Sequence, residues 1–179
     1  MSRNIGISAG LAVGILIGLI IAILLVRIAN TNKKYKTEYD ERQLRVRGDA
    51  YRYAFYTIVI YEAILAILAV GEITLPIQGY LLHFAGILLG CLVLSGYSIW
   101  KDAWWGINNN RKRYAIIFIV CAVLNLIPVI GAISTSSLME EGHLTSPFLN
   151  LMVCFMLLVV GIELLIKNMM DKSSDKEEE

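Results

Sequence analysis

The chain alternates between long apolar runs and shorter polar intervals. Five runs have the ~20 residues an α-helix needs to cross a bilayer: 5–26, 53–71, 80–100, 114–134 and 148–166. The first contains no charged residue, while the second and fifth are each interrupted by one acid, Glu62 and Glu163. None of the polar intervals reaches the ~50 residues of a separate folded domain. The pattern predicts an all-α fold, a polytopic membrane helix bundle of five transmembrane helices forming a single integral-membrane domain over 1–179. A cytoplasmic segment at 27–52 and an acidic tail at 168–179 complete it. The first run exceeds the ~7–15 residues of a signal h-region, is followed by a basic cluster and has no A-x-A-like cleavage site, so it reads as a retained anchor.

Charge placement adds an orientation. Of the 16 Lys and Arg residues, all but Arg3 fall in the 27–52 segment, between the third and fourth runs, or after the fifth. The other two intervals, 72–79 and 135–147, carry neither. Basic residues mark cytoplasmic loops, so the amino terminus is expected outside and the carboxyl terminus inside. Tyr51, Tyr53, Tyr56, Trp100, Trp104, Trp105 and Tyr114 cluster at the same ends, as interfacial aromatic residues do. The composition agrees: 57% of residues are hydrophobic and 17% charged, against about 25% charged in soluble domains. A soluble enzyme and a disordered chain are both disfavoured. The formal net charge of +1 speaks against nucleic acid as a partner, while the basic segment favours anionic headgroups at the cytoplasmic face.

Within the first run, Gly6, Gly10, Gly14 and Gly18 recur every four residues and Ala22 extends the row. Residues four apart share a helix face, and such small-residue rows let membrane helices approach closely. The row specifies a packing face and leaves its mate open: another helix of the same chain, with Gly86 and Gly90 of the third run as a candidate, or self-association, or docking on another membrane protein.

Glu62 sits at the centre of the second run, where an acid costs about 2.5–3.5 kcal/mol on insertion scales. Asn125 lies at similar depth in the fourth run, three residues before Pro128. Proline there leaves the Leu124 carbonyl without its usual donor. Ala122, Asn125, Val129 and Ala132 share one face, and Glu62, Ala66 and Ala69 another, so a Glu62–Asn125 hydrogen bond in the bundle interior is expected. Glu163 stands one turn from Lys167 and is expected to pair with it near the interface, and His83 is expected to be solvated at the outer headgroup level. Cys91, Cys121 and Cys154 fall on three different runs without CxxC spacing, and read as small apolar residues. Glu140, Glu141 and His143 read as a solvated loop rather than a cation site. No cofactor is expected, and no P-loop, GxSxG, HExxH or dinucleotide fingerprint is present.

The largest polar stretch, 33–53, predicts a helix that runs into the second span. Thr37 serves as its N-cap with Asp40 at the N3 position, and Glu38–Arg42 and Glu41–Arg45 supply i,i+4 support. From Tyr39 to Phe55 the stretch reads YDERQLRVRGDAYRYAF. It resembles a motif of small uncharacterised multi-span membrane proteins of Gram-positive bacteria: DERQ, three residues, RG, one residue, AY, one residue, YAF. The resemblance covers seventeen of the 179 residues and implies a bacterial cytoplasmic membrane, with no activity attached. The functional expectation is a non-enzymatic accessory or assembly protein acting through helix–helix association, as a homo-oligomer or on a membrane-protein partner. The alternative is a small transporter or ion- or proton-conducting protein using Glu62.

Overall fold

Each apolar run forms a helix, and the polar residues at its ends decide where it starts and stops. A computed structural model describes the backbone of residues 2–140 and 143–177 and the side chains of 13–14, 16–139 and 143–171. The helices are α1 (Ser2–Ala29), α2 (Glu41–Val70), α3 (Gly79–Trp100), α4 (Arg111–Ser134) and α5 (Pro147–Glu177). Between α4 and α5, strands β1 (Met139–Glu140) and β2 (His143–Leu144) pair antiparallel, Met139 opposite Leu144.

Helices α2 to α5 are long and apolar enough to cross a membrane, and α1 contributes the shorter apolar stretch Leu16–Ala29. Side chains 5–12 and 15 of the expected first span lie outside the described residues, Gly6 and Gly10 among them. The expected tail begins as helix, because α5 continues to Glu177.

Three helices stop in the same way. Glu72, Asp102 and Ser136 have φ of 54°, 55° and 52°, the left-handed conformation that closes a Schellman turn. Their neighbours complete it: the Ile73 amide donates to Leu68 O at 3.0 Å, Ala103 to Ser98 O at 2.8 Å and Ser137 to Ala132 O at 2.9 Å.

The start of α2 corrects the expected Thr37 cap. Asp40 is the N-cap; its carboxylate accepts from the Gln43 amide at 2.6 Å while Gln43 Oε1 accepts from the Asp40 amide at 3.3 Å, a reciprocal capping box. The helix cannot begin earlier because Glu38 is already engaged. Its amide donates to Asn108 Oδ1 at 2.8 Å and its carbonyl accepts from the Ile107 amide at 2.8 Å. Neither expected i,i+4 pair is among the ion pairs of the described residues. Glu38 instead bonds Lys34 Nζ at 2.6 Å.

Packing runs from neighbour to neighbour: α2 on α3, α3 on α5, α5 on α4, and α4 on α1. The α2–α3 contact is the tightest. A Cβ at Gly90 would come within 2.6 Å of Ile58 and one at Gly86 within 2.6 Å of Tyr61, so these glycines are the mates of α2. This corrects the expectation that they receive the α1 glycine row. The face of α2 turned to α3 carries Ala50, Ala54, Ile58 and Tyr61, whereas Ala66 and Ala69 are exposed. On α4, Val129 and Ala132 are buried as their shared face predicts.

Candidate functional site

The end of the molecule holding residues 27–52 and 101–113, here called the basic end, is bound together by amide side chains. Asn30 is fully buried and uses its whole hydrogen-bonding capacity. Its Nδ2 donates to the carbonyls of Lys34 and Lys36 at 3.0 and 3.2 Å, and its Oδ1 accepts from Asn109 Nδ2 at 2.8 Å and Tyr114 OH at 3.3 Å. Asn108 donates to Asn32 Oδ1 and Lys36 O at 3.1 and 3.0 Å. Backbone bonds run alongside, the Thr31 amide donating to Asn108 O at 2.8 Å and the Asn110 amide to Ala29 O at 3.1 Å. A buried amide must find partners or forfeit its hydration, so each of these residues fixes two segments at once. The knot joins the exit of α1, the entry of α2 and the α3–α4 loop.

The residues of the DERQ–RG–AY–YAF motif sit beside this knot, and most have a visible task. Arg42 donates to Lys101 O and Asp102 O at 3.0 and 3.1 Å, and Gln43 Nε2 donates to Asp102 O and Trp105 O at 3.2 and 2.9 Å. Arg47 donates to Tyr51 OH at 3.1 Å and lies 4.3 Å over the Tyr39 ring. The terminal carbonyls of a helix lack internal donors and carry partial negative charge; here α2 supplies cationic and amide donors to the end of α3. Ala50 and Ala54 are buried, and Tyr53 packs on Tyr97 with ring centroids 5.1 Å apart. Nothing in the structure explains Gly48, which lies in unbroken helix with open space where a Cβ would be. Burial pushes the Tyr39 phenol above its ordinary range, and the Arg47 guanidinium on its ring partly pulls it back.

Towards the opposite end, the structure pairs Glu62 differently from the expectation. Glu62 Oε2 lies 2.9 Å from His83 Nδ1 on α3, while Asn125 Nδ2 donates to the Cys121 carbonyl of its own helix at 2.8 Å. The Glu62–Asn125 bond is not formed, because α2 packs on α3 and α4 on α5. His83 is therefore a carboxylate partner, which the sequence does not suggest, while its side chain remains 63% exposed. Glu163 also departs from expectation: its Oε2 is buried and has no hydrogen-bond partner, and it faces Gly96, where a Cβ would lie 3.2 Å from the carboxylate. Lys167 instead reaches Asp102 and Asp171, each at 3.0 Å. The three cysteines are free thiols.

No protein-family model, curated protein or solved structure matches this chain. Sequence reasoning missed the asparagines and His83. The signals that point to them are the Asn108–Asn109–Asn110 run beside Asn30 and Asn32, and the short α2–α3 connection, which makes those helices neighbours.

Proposed function

We propose that the protein is a multi-pass membrane protein of a bacterial cell membrane, with α1 as a fifth span, its amino terminus outside and its carboxyl terminus inside. We infer that it acts as a non-enzymatic accessory or assembly protein, with α1 offered to another membrane helix. The observation that carries the reading is how α1 is held. Among the described residues, its polar bonds to the rest of the chain gather at its basic end: Arg113 donates to Ile28 O at 3.0 Å, the Asn110 amide to Ala29 O at 3.1 Å, and Asn109 to the adjoining Asn30. Further along, Leu16, Ile17, Ile20 and Ile21 are exposed, and Gly14 and Gly18 have open space where a Cβ would be. Held at its basic end, with Gly14 and Gly18 unfilled among the described residues, the helix has the form that close helix–helix packing uses.

The test is crosslinking in native membranes from Gly14→Cys and, separately, Gly18→Cys in a background lacking the three native cysteines, with Gly14→Cys/Gly18→Leu and Gly18→Cys/Gly14→Leu as the blocked forms. The reading expects a discrete crosslinked species that the leucine substitution abolishes. A strictly monomeric chain that captures nothing overturns it.

The Glu62–His83 pair favours a second reading, ion or proton movement through the membrane. Intramembrane acids often mark such pathways. In liposomes, loss of pH-dependent flux on Glu62→Gln supports that reading, and unchanged or absent flux removes it.

A further inference from the structure

Between α4 and α5, at the basic end, lies a cavity of about 610 Å³. Its roof is the α3–α4 loop, fastened by Gln43 of the motif segment: Gln43 binds the carbonyls of Asp102 and Trp105, and Trp104 and Trp105 line the space. Trp104 meets Phe118 with ring centroids 6.4 Å apart, and Trp105 meets Tyr114 at 5.8 Å. These contacts make the roof a fixed surface. Below it, the walls are Phe118 and Ile119 of α4 and Leu158 and Ile162 of α5. Ile119 lies eight residues beyond Arg111, or ~12 Å at helical rise, which is most of the ~15 Å half-thickness of a hydrocarbon core. The slot thus reaches through most of one leaflet, and its deep part offers no charged group among the lining residues.

The mouth is charged and dipolar. On the α4 side stands Arg111, its guanidinium 5.8 Å from the Trp105 ring centroid, at the positive end of the helix dipole, in a first turn whose Arg113 amide is capped by Asn110 Oδ1 at 3.1 Å. On the α5 side Lys167 lies between Asp102 and Asp171, at 3.0 Å from each; two carboxylates against one ammonium leave that side formally negative. Positive and negative poles flanking an apolar slot match a zwitterion on a hydrocarbon chain. A lipid carrying only negative charge would meet the two aspartates.

We propose that this cavity binds one zwitterionic phospholipid with an amine-bearing headgroup, of the phosphatidylethanolamine type. An acyl chain lies between α4 and α5, the phosphate meets Arg111 and the first turn of α4, and the ammonium meets Asp171 and Asp102. The site rests on the membrane placement proposed above.

The test is native mass spectrometry of the delipidated full chain in mild detergent, titrated with dioleoyl phosphatidylethanolamine and, separately, dioleoyl phosphatidylglycerol. One saturable phosphatidylethanolamine adduct is expected, at least ~tenfold tighter than phosphatidylglycerol. Gly161 lines the cavity and has open space where a Cβ would be, so Gly161→Phe fills the slot and is expected to weaken the adduct by at least ~tenfold. Asp171→Asn, which removes one of the carboxylates that meet the ammonium, is expected to abolish the preference between the two lipids and, lying at an exposed position, keeps the proposal testable if Gly161→Phe does not fold. Equal or stronger phosphatidylglycerol binding, or adducts indifferent to both substitutions, overturns the site. Carbonate washing of membranes reports placement separately. A chain retained in the pellet without a selective adduct overturns the lipid site alone, and a chain released by carbonate overturns both.

Discussion

Asn30 and Asn108 are polar groups held where water is excluded, with the half-buried Asn109 beside them, and their bonds depend on how closely two stretches of backbone approach. Gly106 permits that approach: a Cβ there would overlap the Thr37 methyl group and come within 2.5 Å of Glu38 O. Because one of those atoms is backbone, no rotamer change relieves it. Gly106→Ala is therefore expected to destabilise by about 2–3 kcal/mol, the range for overpacking joined to loss of a buried hydrogen bond, read as a fall in thermal midpoint in detergent. Gly48 gives the opposite sign. It sits in helix with free space around it, so Gly48→Ala is expected to stabilise by about 0.5–1 kcal/mol through helix propensity alone. A destabilised Gly48→Ala protein would mean that the residue faces a surface absent from the isolated chain. Hydrophobic runs and charge were legible in the sequence because both are properties of consecutive residues. The asparagine knot was not, since residues 30 and 109 meet only after α2 and α3 have folded back between them.

Helix pairs obey a second set of constraints. That α2 to α5 are apolar helices of spanning length follows from the length of the runs alone, and their ends from ordinary caps and turns. Which face meets which neighbour depends on azimuth and helix order, and depth alone does not supply either. Glu62 and Asn125 match in depth yet belong to helices that do not pack together, whereas His83 stands on the helix that does. Gly86 and Gly90 were legible as a close-packing face, but their mate proved to be α2. A Cβ at Gly90 would lie 2.6 Å from two atoms of Ile58 and 3.4 Å from Ala54 O. Gly90→Ala is expected to lower stability by about 1–3 kcal/mol, the usual penalty for overpacking, measured by the same thermal assay. Ile58→Ala made alone opens a void, but in combination it removes the obstructing atoms. The double variant should then lose less than the sum of the single losses. Simple additivity would place the strain elsewhere than this contact.

At the scale of the molecule, the basic residues have a structural task, and the proposed orientation gives them a second. Arg42, Arg47 and Arg113 donate to carbonyls of Lys101, Asp102, Ala103 and Ile28 at one end of the helices, while the intervals 72–79 and 135–147 contain no Lys or Arg. A purely structural capping role explains arginines near helix ends. It does not explain Lys33, Lys36 or Lys112, which are exposed at the same end; an orientation signal does, because basic residues resist translocation. The two accounts separate in intact cells. Thr74 and Ser146 are exposed in the intervals without basic residues, and Lys36 and Lys112 are exposed at the basic end. With a membrane-impermeant maleimide, Thr74→Cys and Ser146→Cys are expected to label, whereas Lys36→Cys and Lys112→Cys label only after the cells are opened. Labelling in the reverse pattern would invert the bundle. It would also leave the basic residues with their structural task alone, and the lysines that cap nothing without a physical reason for their side of the molecule.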